Sequence, residues 1–373
     1  MPSDREAARP RAAAPIALAS LLIVVVQLLA LVGRPLATDD LWWHLKLGEA
    51  YAQDGPWLPQ DPLYHTTQNQ PTVPHEWLFQ VAVHGIERWT GFHGLRVAHV
   101  LLVAAILAWA FRIFRRAGGA LAPAALATIV FAELSWYRLF QFRPDLATLA
   151  ALLALYVLLL ESRQAARPPS WKRVGVALGV LVLWANAHSL FAIGPALLVA
   201  ALLGIALHAG LMRGLVQPRH EADGQALLAQ RLGAALVLGL IVTLANPRGF
   251  EQHLTFFVES ASGDIWHLQD DFLPWNPFWP AAENRALVPL CWLLADALLL
   301  AFALAAGAGF VRVLRERSAE ALRDLDSVHL GLGAAAIVAM LTAVRFHWMA
   351  LFPLLYVLRA ARRRTQGRAP LAH

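Results

Sequence analysis

Residues 16–44 read IALASLLIVVVQLLALVGRPLATDDLWWH. The first part is an apolar run. Arg34-Pro35 ends it, and two adjacent carboxylates, Asp39 and Asp40, then precede Leu41-Trp42-Trp43-His44. An apolar run of roughly 17–25 residues crosses a bilayer as a single helix. Carboxylates carried into lipid are costly, so a pair at a span exit belongs at the water-facing rim of a membrane-embedded site.

The whole chain follows the pattern of this stretch. Of 373 residues, 58% are hydrophobic and 15% charged, against about 45–50% and about 25% in a soluble domain. Ten apolar segments are long enough to read as spans: 12–35, 95–114, 119–137, 145–161, 173–188, 190–212, 231–246, 286–312, 327–344 and 346–359. The expected fold is an all-α polytopic membrane protein with about ten transmembrane helices, residues 1–373 forming a single membrane domain. Arg5, Arg9 and Arg11 before the first span resemble a secretory signal. The apolar run is longer than the roughly 7–15 residues of a signal core, so the segment reads as an uncleaved signal anchor. One cysteine, Cys291, rules out an internal disulfide within the chain.

The net charge of +6 invites a nucleic-acid reading, but its distribution opposes one. With the N-terminus cytoplasmic, 22 of the 31 Lys and Arg fall on cytoplasmic segments and nine on the other side. The clusters recur at each cytoplasmic turn: Arg112-Arg115-Arg116, Arg163-Arg167-Lys172-Arg173, Arg312-Arg315-Arg317-Arg323, and Arg359-Arg362-Arg363-Arg364. That is the positive-inside pattern; it predicts both termini cytoplasmic, membrane lipid as the immediate partner and no nucleic acid.

Two segments are then external and long, residues 36–94 and 247–285. In the first, Leu41–Tyr51 and His75–Trp89 alternate apolar and polar positions at helical spacing and predict two amphipathic interfacial helices. Gly55-Pro56, Pro59, Asp61-Pro62 and Pro71 impose turns between them. The second carries Trp266, Trp275, Trp279, Asp270 and Asp271; tryptophan at this depth is ordinarily an interfacial anchor. Breaks fall at Arg143-Pro144, at Ala185–Ser189 and at Asn246-Pro247, where proline lacks an N–H.

The polar residues at external span ends are Asp39, Asp40, His44, His75, Glu76, Glu133, Arg143, Asp145, Asn186, His188, Asn246, Arg248, Arg345 and His347. Cytoplasmic ends offer mainly arginine. Arg143, Arg248 and Arg345, with His75, suit a phosphate, because a guanidinium donates paired hydrogen bonds. A neighbouring carboxylate suits deprotonation of an acceptor, which nominates Asp40, Asp39 and Glu76. His44, Asn186, His188, Asn246 and His347 would line the same cavity. Structural alternatives stand beside each assignment. Asp39, Asp40 and Glu76 could cap helix starts. Arg143 could pair with Asp145 or Glu133, and Arg248 and Arg345 could contact headgroups. His75, His188 and His347 match no compact zinc spacing, and a divalent metal is left open. Asp296 is the one acid well inside a span.

Together these features resemble the GT-C superfamily of membrane glycosyltransferases, which includes protein O-mannosyltransferases and lipid A aminoarabinose transferases. The carriers are the acid after the first span and the wording Asp40-Leu41-Trp42-Trp43-His44-Leu45, Gly48, Asp61-Pro62 and His75-Glu76-Trp77-Leu78. Arg143-Pro144, Trp184-Ala185-Asn186-Ala187-His188 and Asn246-Pro247-Arg248-Gly249 follow in order, and the set is similar to a bacterial branch of GT-C-like proteins. The resemblance implies a polyprenyl-phosphate-linked sugar donor, an acceptor that is a glycan, lipid or protein, and an active site on the external face of the bacterial inner membrane. It also implies that Asp40 or Asp39 acts as base or orients the acceptor. Many members carry further spans or an external domain beyond the point where this chain stops. Two other readings remain at this stage: a non-catalytic membrane component of a polysaccharide or cell-envelope machine, and a lipid or solute transporter. Against transport, the chain shows no inverted repeat and one central acid.

Overall fold

A computed structural model describes residues 9–34, 40–63, 72–161, 168–215, 222–254, 274–277 and 289–366. Asp39 and most of the 247–285 segment, including Trp266, Asp270, Asp271 and Trp279, lie outside the described residues. Helix α1 is Arg9–Val32, α2 Asp40–Asp54, α3 Trp77–Gly118 and α4 Leu121–Phe140. Helix α5, Asp145–Leu155, continues as a π-helical turn over Tyr156–Leu160. Then come α6 Trp171–Ala187, a 3₁₀ turn Ser189–Ala192, α7 Ile193–Leu215 and α8 Ala222–Val242. The last four are α9 Pro289–Glu316, α10 Ala319–Leu325, α11 Ser327–Thr342 and, after a 3₁₀ segment Val344–Ala350, α12 Leu351–Gln366. No strand occurs among the described residues.

Each of the ten predicted spans coincides with a helical element, and among the described residues six helices are long and apolar enough to cross a membrane by themselves. Their outward faces stay apolar, as at Ile16, Leu22 and Val26 of α1 and Leu293, Leu300 and Leu304 of α9. Such faces suit lipid, which offers no hydrogen bonds to a polar group. This is a polytopic integral membrane protein. Arg231 marked the start of the seventh span in the sequence, yet α8 begins nine residues earlier. The helix tolerates the cation because its guanidinium stacks 3.8 Å from the Trp171 ring.

Helix α3 decides how the first long segment sits. Its 42 residues would run about 63 Å at 1.5 Å per residue, twice the roughly 30 Å of hydrocarbon. The N-terminal part therefore leaves the membrane. Gly91, at φ 64° and ψ −170°, supplies the kink where it does so, a conformation that L side chains rarely adopt. The predicted helix over His75–Trp89 is thus the part of α3 before the Gly91 break, and the second span follows that break. Helix α2 packs along this projecting part. Gly48 permits the approach, since a Cβ there would lie 2.1 Å from the carbonyl oxygen of Gln80. A small apolar cluster of Leu47, Tyr51 and Leu58, with Trp43, Trp77 and Val81 beside it, seals the contact.

The remaining helices share one continuous apolar core running from Leu28 to Tyr356. Helix α1 packs on α4, α11 on α7, and α12 on α3 and α11. Two polar ties anchor the mouth of this bundle. Arg96 Nε donates to the Gly33 carbonyl at 2.8 Å, and His99 Nε2 donates to the Leu139 carbonyl at 2.9 Å.

Candidate active site

Four chain breaks meet at the end of the bundle that carries α2. They are the start of α2, the start of α3, the α4–α5 turn and the α6–α7 turn. Proline 144 occupies the cap position of α5 with φ −56°, already suited to a first helical turn. This places Arg143 just outside the helix and Asp145 in its first turn. Arg143 Nη2 lies 2.6 Å from Asp40 Oδ2. Neither Asp145 nor Glu133, the structural alternatives read from sequence, makes the shortest contact to Arg143; Asp40 does. Asp145 is taken instead by Arg138, a buried residue in the last turn of α4, with Nε 3.7 Å from Oδ1. Arg143 Nε is buried and has no hydrogen-bond acceptor.

Glu76 occupies the cap position of α3, yet its side chain makes no capping bond. Three imidazoles surround it. His188 Nε2 is 3.5 Å and His75 Nε2 3.9 Å from Oε1, and His44 Nδ1 is 3.9 Å from Oε2. His44 is buried, accepts from the Gln80 amide at 3.3 Å and packs edge-on against Phe79. Burial, then the Arg143 charge, push its pKa down to about 4. His75 is likewise lowered to about 4, chiefly by burial, against the opposing effect of its bond to the Val73 carbonyl. Both rings are therefore neutral at pH 7.

Longer-range electrostatics join these pairs into one site. Asp145 interacts with Arg138, His188, Arg345 and Arg143, and His188 with Asp145, Arg345, His75 and Arg138. Arg248 acts on His75. The structure thus brings together Asp40, His44, His75, Glu76, Arg143, His188, Arg248 and Arg345.

Other nominated residues serve the frame. Asn186 accepts from the Trp77 indole at 2.8 Å and donates to the carbonyls of Val182 and Ala245. It ties α3, α6 and the end of α8 together. Asn246 donates to Thr243 and Gly249 carbonyls and accepts from the Arg248 amide, folding the Asn246–Gly249 turn. Its role is a turn-forming one. His347 is buried with its ring 5.2 Å from that of Trp275, and neither ring nitrogen has a hydrogen bond there.

Sequence reading gave no site role to Arg138, Thr148, Trp184, Gln80 or Gln252. A lone arginine inside an apolar helix is a detectable signal, since such charges pair or function. Gln80 lies one turn after Glu76 and so shares its helix face. Gln252 donates to the His75 carbonyl at 3.2 Å, a contact across 177 residues that no local pattern announces. Three imidazoles near one carboxylate raise the question of a metal. Among the described residues no group of three or more His, Cys, Asp or Glu is arranged to hold one.

No family model and no curated protein sequence matches the chain. Solved structures do. One is the archaeal oligosaccharyltransferase AglB from Archaeoglobus fulgidus in complex with an inhibitory peptide and a dolichol-phosphate. It has a TM-score of 0.53 and 12% identity, covering 95% of this chain and 52% of that one. A second is the Archaeoglobus fulgidus oligosaccharyltransferase tethered to an acceptor peptide containing the NVT sequon. Its TM-score is 0.48 at 12% identity over 93% of this chain and 50% of that one, too low to add weight. The chain spans about half the length of the oligosaccharyltransferase it matches. At this identity the likeness shows the fold alone: the chain is a helical membrane protein whose fold resembles part of that of this oligosaccharyltransferase.

Proposed function

We propose that this protein is a membrane glycosyltransferase that moves a sugar from a polyprenyl-phosphate donor to a glycan, lipid or protein acceptor. The observation that carries this reading is the convergence of Asp40, Glu76, Arg143, Arg248 and Arg345 on one end of a GT-C-like bundle. The site has the parts that transfer needs. Arg143, with Arg248 and Arg345, holds the donor phosphate and takes up the charge of the leaving group. Asp40 or Glu76 accepts the proton of the acceptor hydroxyl. The acceptor oxygen bonds to the anomeric carbon, the bond from that carbon to the phosphate oxygen breaks, and its electron pair leaves on polyprenyl phosphate.

Asp40 and Arg143 neutralise each other. A donor phosphate competes for Arg143 and so releases Asp40 as a base. The α2 end faces the periplasm of a bacterial inner membrane and both termini are cytoplasmic, because the arginine clusters sit at the opposite end.

Purified protein incubated with a panel of radiolabelled polyprenyl-phosphate sugars tests the reaction. Label should move from the lipid to a water-soluble or second lipid product; retention on every donor sinks the reading. Cysteines placed at Gln68 and Gln366 test orientation. Gln68 should react from outside intact cells, and external labelling at Gln366 would put the site in the wrong compartment.

A further inference from the structure

Thr148 lies in the first turn of α5, fully buried, with two side chains on its hydroxyl. Trp184 Nε1 is 2.8 Å from Thr148 Oγ1. Thr148 Oγ1 is in turn 2.7 Å from His188 Nδ1. Trp184 and His188 are buried as well. Indole nitrogen only donates, so the threonine oxygen must accept from Trp184. The hydroxyl hydrogen then has His188 Nδ1 as its acceptor. A neutral imidazole that accepts at Nδ1 carries its hydrogen on Nε2. That nitrogen is the one 3.5 Å from Glu76 Oε1.

The two other imidazoles differ. His75 gives its Nδ1 hydrogen to the Val73 carbonyl, so its Nε2 turns a lone pair toward Glu76. His44 accepts at Nδ1 from Gln80, so the atom nearest Glu76 is again a lone pair. Of the three rings, His188 alone presents a hydrogen.

We propose that Trp184 and Thr148 are positioning residues that lock His188 in its Nε2–H tautomer and aim that hydrogen at the Glu76 carboxylate. This rests on Glu76 working at the transfer site. The lock orients the carboxylate without neutralising it. The opposite tautomer would set a third bare nitrogen against the carboxylate, at the shortest of the three distances, and leave Glu76 with no imidazole hydrogen. A base must be held in reach of the proton it takes. The relay also joins α5 and α6 to the start of α3, so the geometry of Glu76 is fixed by helices far from it in sequence.

Nitrogen-15 spectra of histidine-labelled full-length protein in lipid bilayers test the lock, with the His188 signals assigned by their loss in His188→Gln. The wild type and Thr148→Ser should show His188 Nδ1 unprotonated and Nε2 protonated. Thr148→Val removes the donor to Nδ1. Trp184→Phe removes the indole and frees the threonine to accept from the ring. Both should shift His188 toward the Nδ1–H form. With a productive donor, both should lower kcat about tenfold or more, part of what a general base contributes, with KM little changed. Thr148→Ser should restore kcat. A wild-type ring protonated at Nδ1, or an unchanged tautomer in both Thr148→Val and Trp184→Phe, overturns the proposal. So does full kcat in both variants. The spectra decide the lock without any turnover, so absence of transfer with every donor fails the proposed function and leaves the tautomer result standing.

Discussion

The two ends of the bundle hold polar clusters of similar composition and opposite character. At the arginine-rich end, Asp326 binds Arg359 Nε at 2.5 Å, Arg363 Nη2 at 2.6 Å and His329 Nδ1 at 3.0 Å. Tyr156, in the π-helical turn, meets the other nitrogen of His329 at 3.0 Å. Arg363 also donates to the Asp324 carbonyl at 2.7 Å, and Arg312 binds the Asp324 side chain. At the α2 end Arg143 closes on Asp40 at 2.6 Å, but the contacts around Glu76 are 3.5–3.9 Å and the buried Arg138–Asp145 pair is 3.7 Å. Gln80 Oε1, Arg143 Nε and Asp145 Oδ1 are buried there without hydrogen bonds. Unmade bonds of this kind are expensive in a folded protein. A network that only holds helices together closes its bonds, as the Asp326 cluster does. A site that must take up a charged ligand keeps donors and acceptors in reserve, and catalytic contacts tighten when the ligand arrives.

Exchanging one carboxylate at each end breaks the comparison most directly. Asp326→Ala should destabilise the protein by about 3–5 kcal/mol, since it leaves buried guanidinium groups without their counter-charge. Glu76→Gln should leave thermal stability close to wild type and abolish transfer. Thermal unfolding in detergent, alongside turnover, checks both. Equal loss of stability at the two ends would make the α2 cluster another clamp.

Within the α2 cluster, Asp40→Asn should cost roughly 10²–10⁴-fold in turnover, the range of general-base catalysis. Folding should survive, because asparagine caps a helix about as well as aspartate. Arg143→Ala should instead raise the donor KM. Asp39→Asn is the internal comparison, and full turnover in both asparagine variants would return the acids to capping. Donor titrations separate the two effects.

Acid should sharpen the contrast. His44 has a folded pKa of about 4 against an ordinary value of 6.5. Between these values the unfolded chain binds the extra proton, so stability falls as pH drops from 6.5 to 4 and is intact above 6.5. The full loss is on the order of 3 kcal/mol for a shift of that size. His44→Gln should flatten this part of the stability–pH curve measured by denaturant unfolding. An unchanged slope would mean that the imidazole is solvated.

The smallest effect concerns position. Gly48→Ala would bring a Cβ against the Gln80 carbonyl. It should cost about 1–3 kcal/mol, as overpacking does, and lower turnover through Asp40 and His44 on the displaced α2. Retained turnover at reduced stability would uncouple the α2–α3 contact from the site.

Much of the fold was legible before any coordinates. Span positions follow from apolar length, because lipid leaves the backbone no partner outside the helix. The breaks at Arg143-Pro144 and at Ala185–Ser189 also fell where written, since proline and short polar runs act locally. The start of α8 was misplaced because an arginine inside a span reads as its boundary until Trp171 is seen beneath it. Asn186 and Asn246 read as cavity residues, since a polar side chain at a span end looks the same whether it faces a ligand or a carbonyl. Only contacts across the fold separate them.

Apolar length and charge placement along the chain are enough to make this a polytopic helical membrane protein with carboxylates and arginines gathered at its span ends. Hydrophobic length and charge bias are properties of consecutive residues and need no partner to be read. Tertiary structure alone decided which acid meets which base. Asp40 takes Arg143, Arg138 takes Asp145, and a threonine and a tryptophan set the hydrogen on His188. Those choices rest on distances of a few ångströms between residues as far apart in sequence as Asp40 and Arg143, and Coulomb and hydrogen-bond energies depend on such distances rather than on order along the chain.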